Sequence, residues 1–421
     1  MSKRCLAVLV AGLAACSDGG QPLDGPQPQV EPQVEPPLIG TLTTYSMTDT
    51  HLAPLPVTPT FVAYRGEGGD WERVEAVGPT TAFTIEHPRY MLWVACPFTD
   101  AGRDSVHALL LTDQDSLEPA VRCPLPPSGD DARAFTFEAG DLGTFALSAS
   151  IGAASTGRFH QAGGVASYTF VGPAPGPYDL VTLLEDRDGP AIRIRRDFDL
   201  SEDLLFRFAM QEHLPLEPEL QPEPIGFPRQ RYITGNRTEV TLPEGSSYLY
   251  RVPEALRDPD DIYQLVSEVG AGNQLTTVSY RQDPGEATLT TPEPLSGGAL
   301  RDLGPRRFSI VLPTSDSPGI QVMQVHLQPY MAWADVEVWI SEGLLTGPDV
   351  VTVELPPEFE PTWRMGEAGD QVGAVLTARW SNRDGHALSE LLNHGQRIVP
   401  RSLDGLDVGA AEIRLPIGTI E

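Results

Sequence analysis

Residues 61–95 read FVAYRGEGGDWERVEAVGPTTAFTIEHPRYMLWVA, and this stretch decides the fold. Short runs of β-branched and aromatic residues recur about every ten positions, with glycine and proline between them. Runs of this length and spacing are typical of an antiparallel β-sandwich. We therefore predict strands over residues 61–64, 71–77, 82–85 and 90–95.

The composition of the whole chain agrees with that stretch. Glycine contributes 40 and proline 41 of the 421 residues, and proline interrupts helices. Hydrophobic residues make up 40 % of the chain, which is enough to form buried cores. We expect an all-β protein of tandem β-sandwich, immunoglobulin-like domains, and we exclude a coiled coil or long-helix protein.

Charge and missing motifs exclude several functions. The formal net charge is -29, and such a surface repels phosphate backbones, so we expect no nucleic-acid partner. Lys3 is the only lysine, which leaves none for a Walker-type phosphate loop or a pyridoxal Schiff base within the folded chain. G-x-S-x-G, HExxH, GxGxxG and EF-hand patterns are absent from the sequence.

The N-terminus has the pattern of a signal peptide over residues 1–15. Lys3 and Arg4 form a short cationic region, and about ten apolar residues follow, too few to span a bilayer. The segment ends Leu-Ala-Ala and is followed by Cys16. This ending resembles the bacterial lipoprotein signal.

The lipoprotein resemblance implies cleavage before Cys16 and acylation of its thiol with fatty acids such as palmitate. Ser17 follows, where an aspartate would imply retention at the inner membrane. We therefore expect an outer-membrane, lipid-anchored protein that faces the periplasm or the cell surface.

Changes in composition divide the rest of the chain into segments. Pro-, Gln- and Glu-rich stretches are typical of extended, solvated tethers, whereas the apolar runs indicate folded β-regions. The predicted segments are a tether at 16–40, a β-sandwich domain at 41–126, an immunoglobulin-like β-domain at 127–213, a linker at 214–230, and one larger β-region or two sub-domains at 231–421.

Cys96 and Cys123 occur in matching contexts, each at the end of an apolar run and directly before proline. In an exported protein this pattern favours a disulfide, which stabilises the fold by about 3 kcal/mol for a loop of this size. Two free buried thiols remain the alternative.

Residues 176–181 read GPYDLV. They resemble the Gly-x-Tyr-x-Leu pattern of carboxypeptidase-regulatory-like and other immunoglobulin-like bacterial modules. With the signal and the tether, the order of segments is similar to that of uncharacterised bacterial envelope lipoproteins. The resemblance implies a fold and a location, and it supplies no catalytic residues.

A metal site is considered at His386, Glu390 and His394, which share one face of a helix predicted over 386–394. The histidines lie about 12 Å apart along such a helix, so one ion reaches at most two adjacent ligands. We therefore predict no metal site, because an amphipathic helix with its leucines toward the core explains the spacing.

Asp186 and Asp188 lie in one of several Asp-rich turns. Calcium needs six to eight oxygen ligands, and each turn offers two or three. We predict no cofactor and keep calcium as the alternative. Most turns of this kind are solvated loops.

Basic residues occur as islands in this acidic chain. Arg193, Arg195 and Arg196 alternate in part with isoleucine, which indicates the solvent face of a strand. Asp197, Asp199 or other acids are expected to pair with them. Arg306 and Arg307 form a second island. Trp71, beside a glycine-rich turn, is the candidate for stacking on a glycan, although packing in the core explains it as well.

From these observations we expect a lipid-anchored envelope protein that acts as a non-catalytic binding or structural module. A surface glycan-binding protein is the first alternative, and an envelope hydrolase acting on glycan or peptide is the second. The expected partners are the membrane, through the lipid anchor, and an envelope protein or polysaccharide.

Overall fold

The structure is a computed structural model of the chain. It describes residues 38–46, 55–97, 104–123, 133–139, 144–152, 154–155, 159–162, 166–172, 176–186, 189–200, 204–208, 212–220, 229–236, 238–243, 248–270, 274–287, 289–304, 306–314, 319–328, 334–345, 350–359, 373–383, 400–415 and 417–419.

Strands dominate these residues, and the predicted all-β sandwich fold is confirmed. In chain order the strands are β1 (Leu38–Ser46), β2 (Leu55–Pro56), β3 (Phe61–Gly66), β4 (Glu72–Val74), β5 (Thr80–Ile85), β6 (Arg89–Cys96), β7 (Asp104–Thr112), β8 (Ala120–Arg122), β9 (Arg133–Ala139), β10 (Thr144–Ile151), β11 (Ala154–Ser155), β12 (Phe159–Ala162), β13 (Ala166–Gly172), β14 (Gly176–Asp186), β15 (Gly189–Leu200), β16 (Leu204–Phe208), β17 (Leu214–Pro215), β18 (Glu217–Leu220), β19 (Arg229–Ile233), β20 (Glu239–Thr241), β21 (Tyr248–Arg251), β22 (Ile262–Val269), β23 (Gln274–Arg281), β24 (Ala299–Asp302), β25 (Arg307–Val311), β26 (Val322–Gln328), β27 (Ala334–Ser341), β28 (Val350–Glu354), β29 (Gly373–Ser381), β30 (Asp407–Leu415) and β31 (Ile417–Thr419).

Helical structure in the described residues is short. It consists of α1 (Glu342–Leu345) and four 3-10 turns at Glu254–Leu256, Pro284–Glu286, Pro357–Phe359 and Pro400–Leu403. No helix among the described residues is long and apolar enough to cross a membrane.

A 12-stranded sheet organises the fold, in the order β20-β19-β22-β23-β30-β29-β26-β27-β7-β6-β3-β4. β7 joins β27 in parallel, so strands from the predicted 41–126 segment share one sheet with strands from 231–421. Contacts unite Pro37–Glu421 as one compact unit. The predicted domain boundaries stay predictions, and the long sheet contains strands from both of these segments.

The β3-β6-β7 end of this sheet is covered on both faces by other sheets. Successive side chains point to opposite faces, so neighbouring residues enter different cores. Ala63 and Trp93 face a four-stranded sheet, β28-β25-β24-β31, in one core. Val62 and Leu92 face the opposite way, into a second core with Leu42 of β1. β1 pairs with β2, β5 and β8 in the other small sheet, so this end of the molecule has three layers.

The predicted disulfide between Cys96 and Cys123 is present, with Cα atoms 5.4 Å apart. Cys96 ends β6 in the central layer, and Cys123 follows β8 in the outer layer. Both residues are fully buried in the second core. The bond therefore cross-links two packed sheets.

The GPYDLV stretch lies in β14, which pairs with β15 in a six-stranded sheet, β11-β10-β14-β15-β17, with β12 beside β10. Val181 and Ile192 of this hairpin pack on Tyr232 and Tyr263, near the β20 end of the long sheet. The predicted linker at 214–230 contains β17 and β18. Leu216, between these strands, is buried in the core formed with Tyr232 and Tyr263. Linker composition here coexists with strand structure.

Candidate functional site

A cleft of about 350 Å³ opens where the ends of β3, β6 and β7 meet β25, β28 and α1. Its charged wall contains three arginines and two glutamates, namely Arg65, Arg89, Arg307, Glu67 and Glu354. Its apolar wall contains Met91, Leu110, Leu344 and Val351. An apolar surface with a few convergent polar groups is the usual composition of a ligand site.

Arg65 is held in a fixed position at this cleft. Its Nη1 lies 3.0 Å from the Glu354 carboxylate, and its Nε donates to the Gly69 carbonyl at 2.8 Å. Its guanidinium lies 5.9 Å from the centre of the Trp71 ring. At the end of β3, Gly66 allows the His87 ring to pack closely, because a Cβ at this position would clash with that ring.

Arg89 and Arg307 are held more loosely. Arg89 lies 3.5 Å from Glu67, and its side chain is 44 % exposed. Arg307 Nε lies 3.9 Å from the Glu354 carboxylate that also pairs with Arg65, and its side chain is 54 % exposed. Both guanidiniums retain N–H groups directed at solvent, since each carries five donors. Three cations against two carboxylates make the cleft locally positive in a chain of net charge -29.

Trp71 contributes to this site as a support. It is partly buried, packs against the first core, and has the Arg65 guanidinium over its ring. A stacked sugar would compete with Arg65 for that ring face. The predicted glycan-stacking role stays a prediction.

A second polar cluster crosses three neighbouring strands. The registers of β26, β27 and β7 place His326, Glu337 and His107 side by side. His107 Nδ1 lies 3.4 Å and His326 Nδ1 lies 3.7 Å from the Glu337 carboxylate. Burial alone would raise the pKa of Glu337, but its interactions with the two nearby imidazoles hold it well below its ordinary value.

Ser105 extends this cluster, because its Oγ lies 3.3 Å from His107 Nε2. The order serine, histidine, glutamate is that of a hydrolase triad. However, β7 is paired on both sides, with Ser105 opposite Cys96 and Asp335, so the ladders occupy the backbone donors beside it. A serine hydrolase needs free N–H donors near its serine to stabilise the oxyanion of the reaction intermediate. The geometry therefore favours a structural role for Ser105, His107 and Glu337.

A third cluster joins the β14-β15 hairpin to the long sheet. Arg196 Nη1 lies 2.8 Å from both Asp179 and Asp261, and its Nη2 donates to the Leu256 carbonyl at 2.6 Å. Tyr232 also donates its hydroxyl to Asp261. Burial alone would lower the pKa of Arg196, but the two carboxylates raise it above its ordinary value.

Arg196 therefore differs from the sequence prediction of a solvent-facing arginine. Asp179 and Asp261 are 0 % and 5 % exposed, and each needs a cation or several donors to remain buried. Arg195, by contrast, is exposed as predicted. The cluster holds the fold together and leaves no open space for a ligand among its own groups.

Several sequence candidates fall outside the described residues. They are Cys16, Asp188, His386, Glu390 and His394. Asp186 lies at the end of β14, and its side chain is also outside the description. Among the residues that are described, no group of three or more His, Cys, Asp or Glu side chains could hold a metal ion.

No family model matches this chain, and no curated protein matches it either.

Proposed function

We propose that this chain is a lipid-anchored envelope protein that acts as a non-catalytic binding module, with an acidic ligand held in the arginine cleft. The cleft carries this proposal, because it combines spare guanidinium donors with an apolar wall. Nothing comparable supports catalysis in the described clusters, where the charged groups are already paired with each other.

The chemistry of the cleft favours carboxylate or phosphate groups. Guanidinium N–H groups bind such anions through short, charge-assisted hydrogen bonds that are about twice as strong as neutral ones. Arg65 is already positioned by three contacts, so little ordering entropy is lost when it binds. The apolar wall formed by Met91, Leu110 and Leu344 suits a ligand that also carries an apolar group.

Removing the two loosely held arginines should weaken binding of a small anionic probe. We expect the Arg89→Gln, Arg307→Gln double variant to raise the Kd for dansyl-glutamate at least tenfold, because two charge-assisted bonds contribute about 1.5 kcal/mol or more each. Fluorescence titration at low salt measures this. Added salt should weaken binding to the unmodified protein.

The matched control is the Arg229→Gln, Arg231→Gln variant. Both arginines lie on β19, at the far end of the long sheet. Arg229 pairs with Glu268 of β22 and Arg231 with Glu239 of β20, at the surface. The control removes the same charge and should leave the Kd unchanged. An equal rise in Kd for both variants would mean that the probe binds through the overall charge of the protein. The cleft would then not be its binding site.

The anchor is tested separately. With acyl chains on Cys16, the protein should partition into the detergent phase on Triton X-114 separation, whereas Cys16→Ser should move it to the aqueous phase. Continued partition of the serine variant into detergent would contradict a lipid anchor. Sucrose-gradient fractionation of the envelope then tests the outer-membrane location.

A further inference from the structure

Strand β28 forms one edge of the four-stranded sheet beside the cleft. It pairs with β25 on one side, and no described strand pairs with it on the other. Its sequence, VVTVE, contains neither lysine nor proline, two residues that commonly protect such an edge from further pairing. Val350 is 39 % exposed, and Thr352 is also exposed.

The register shows which backbone groups of β28 face outward. Leu355 N–H donates to the Arg306 carbonyl at 2.7 Å, and this pair continues the β25-β28 register. In an antiparallel ladder, hydrogen-bonded pairs alternate along the strand. Residues 351 and 353 therefore bond to β25, and the N–H and C=O groups of residues 350, 352 and 354 point away from it.

The outward-facing residues of β28 also line the arginine cleft. Val350, Thr352 and Glu354 all contribute to its wall. Glu354 in turn pairs with Arg65, at the fixed end of the cationic group. A free strand edge and a set of spare cations thus meet in one place.

We propose that β28 pairs with an extended acidic peptide of another protein, which adds a strand to this edge and places a carboxylate on Arg89 and Arg307. This inference rests on the proposed function, since it names the ligand class of the same cleft. Main-chain hydrogen bonds supply affinity in strand addition, and side-chain pockets supply specificity. Here the positive cleft selects the charge of the peptide.

The strand geometry also sets the pattern of the peptide. Successive side chains of a strand point to opposite faces, so every second residue faces the cleft. An acidic residue would meet the arginines, and an apolar residue two positions away would meet Met91 and Leu344. The motif is therefore acidic-x-apolar, or its reverse.

The test uses the full chain and a fluorescein-labelled eight-residue peptide, ETVTETVT, in which glutamate and valine lie two positions apart on one face of the strand. We expect Thr352→Pro to raise the Kd for this peptide at least tenfold, because proline has no N–H to offer an added strand. The Thr352 N–H does not bond to β25, so the substitution leaves the β25-β28 ladder intact. Thr352→Val keeps the N–H and is the matched control, so it should bind the peptide about tenfold more tightly than Thr352→Pro does. Dansyl-glutamate binding, measured in each protein, reports whether the arginine part of the cleft is intact.

These outcomes separate the inference from the proposed function. Unchanged peptide affinity in Thr352→Pro, with normal binding of dansyl-glutamate, would overturn strand addition and leave anion binding intact. So would binding of polygalacturonate in the cleft in place of the peptide. Strand addition would also be overturned if the Arg89→Gln, Arg307→Gln variant lost binding of both ligands while Thr352→Pro bound both with unchanged affinity.

A second measurement does not depend on the folding of the proline variant. Hydrogen exchange on the unmodified protein should show new protection at the amides of Val350, Thr352 and Glu354 when the peptide binds. A peptide of equal charge with proline at every second position cannot pair and should give no protection. Absence of protection with the pairing peptide at saturation would overturn the proposal.

Discussion

Replacing Arg196 with methionine should lower the free energy of unfolding by about 3–5 kcal/mol, because it leaves buried carboxylates without their cation. Asp179 and Asp261 are almost fully inaccessible, and Arg196 bonds to both. Amide groups also donate to these carboxylates, from Asp197 and Gly235 at 3.1 and 2.9 Å. They reduce the cost without replacing the charge. Urea denaturation followed by circular dichroism measures the change.

Arg229→Met is the control for this prediction. Arg229 pairs with Glu268 at the surface, where its side chain is 53 % exposed, so its loss should cost at most about 1 kcal/mol. Adding Asp261→Asn to Arg196→Met should recover part of the loss, since one buried charge disappears. If the single variant costs no more than the control, the cluster does not stabilise the fold as argued.

Reduction of the Cys96–Cys123 bond should lower the free energy of unfolding by about 3–4 kcal/mol, as expected for the chain entropy of a loop closed across 27 positions. The bond connects the central sheet to the outer β1-β2-β5-β8 sheet, so both layers should lose stability together. Urea denaturation of the oxidised and fully reduced protein gives the difference, and reduction preserves both sulfur atoms in the core.

The Cys96→Ala, Cys123→Ala variant separates the cross-link from packing. It should be less stable than the reduced protein, because two buried side chains are also truncated. Its unfolding should not respond to reductant, which would show that reductant acts on the unmodified protein only through the Cys96–Cys123 bond. Coincident unfolding curves for the oxidised and reduced protein would contradict the predicted contribution.

The strands were largely predictable from the sequence. Residues 61–64 and 90–95 lie within β3 and β6, which extend one or two positions further. The 71–77 prediction was too long, since β4 ends at Val74. Alternation and turn residues act over a few positions, so they locate strands without reference to the rest of the fold. The disulfide was predictable for the same reason, because each Cys-Pro context is local.

The arginine cleft was not predictable from local patterns. Arg65 and Arg89 come from β3 and β6, and Arg307 begins β25 in another sheet. Their proximity depends on sheet order and register, which no short motif encodes. The sequence marked Arg307 only as part of a basic island. Pairing of Arg196 with an acid was predictable, but local spacing could not name its partners, because Asp179 and Asp261 lie 17 and 65 positions away.

The parallel seam between β7 and β27 has a consequence for how the chain is made. Ala108 pairs with Val338, and more than half of the chain lies between them. Export, as proposed above, moves the chain across the inner membrane unfolded and N-terminus first, so β7 arrives before β27. One edge of β7 therefore stays unpaired until β27 has also emerged, which requires most of the polypeptide. Pairing of two strands that lie so far apart in sequence is slow, so we expect chaperones to protect this edge of β7 from aggregation during folding.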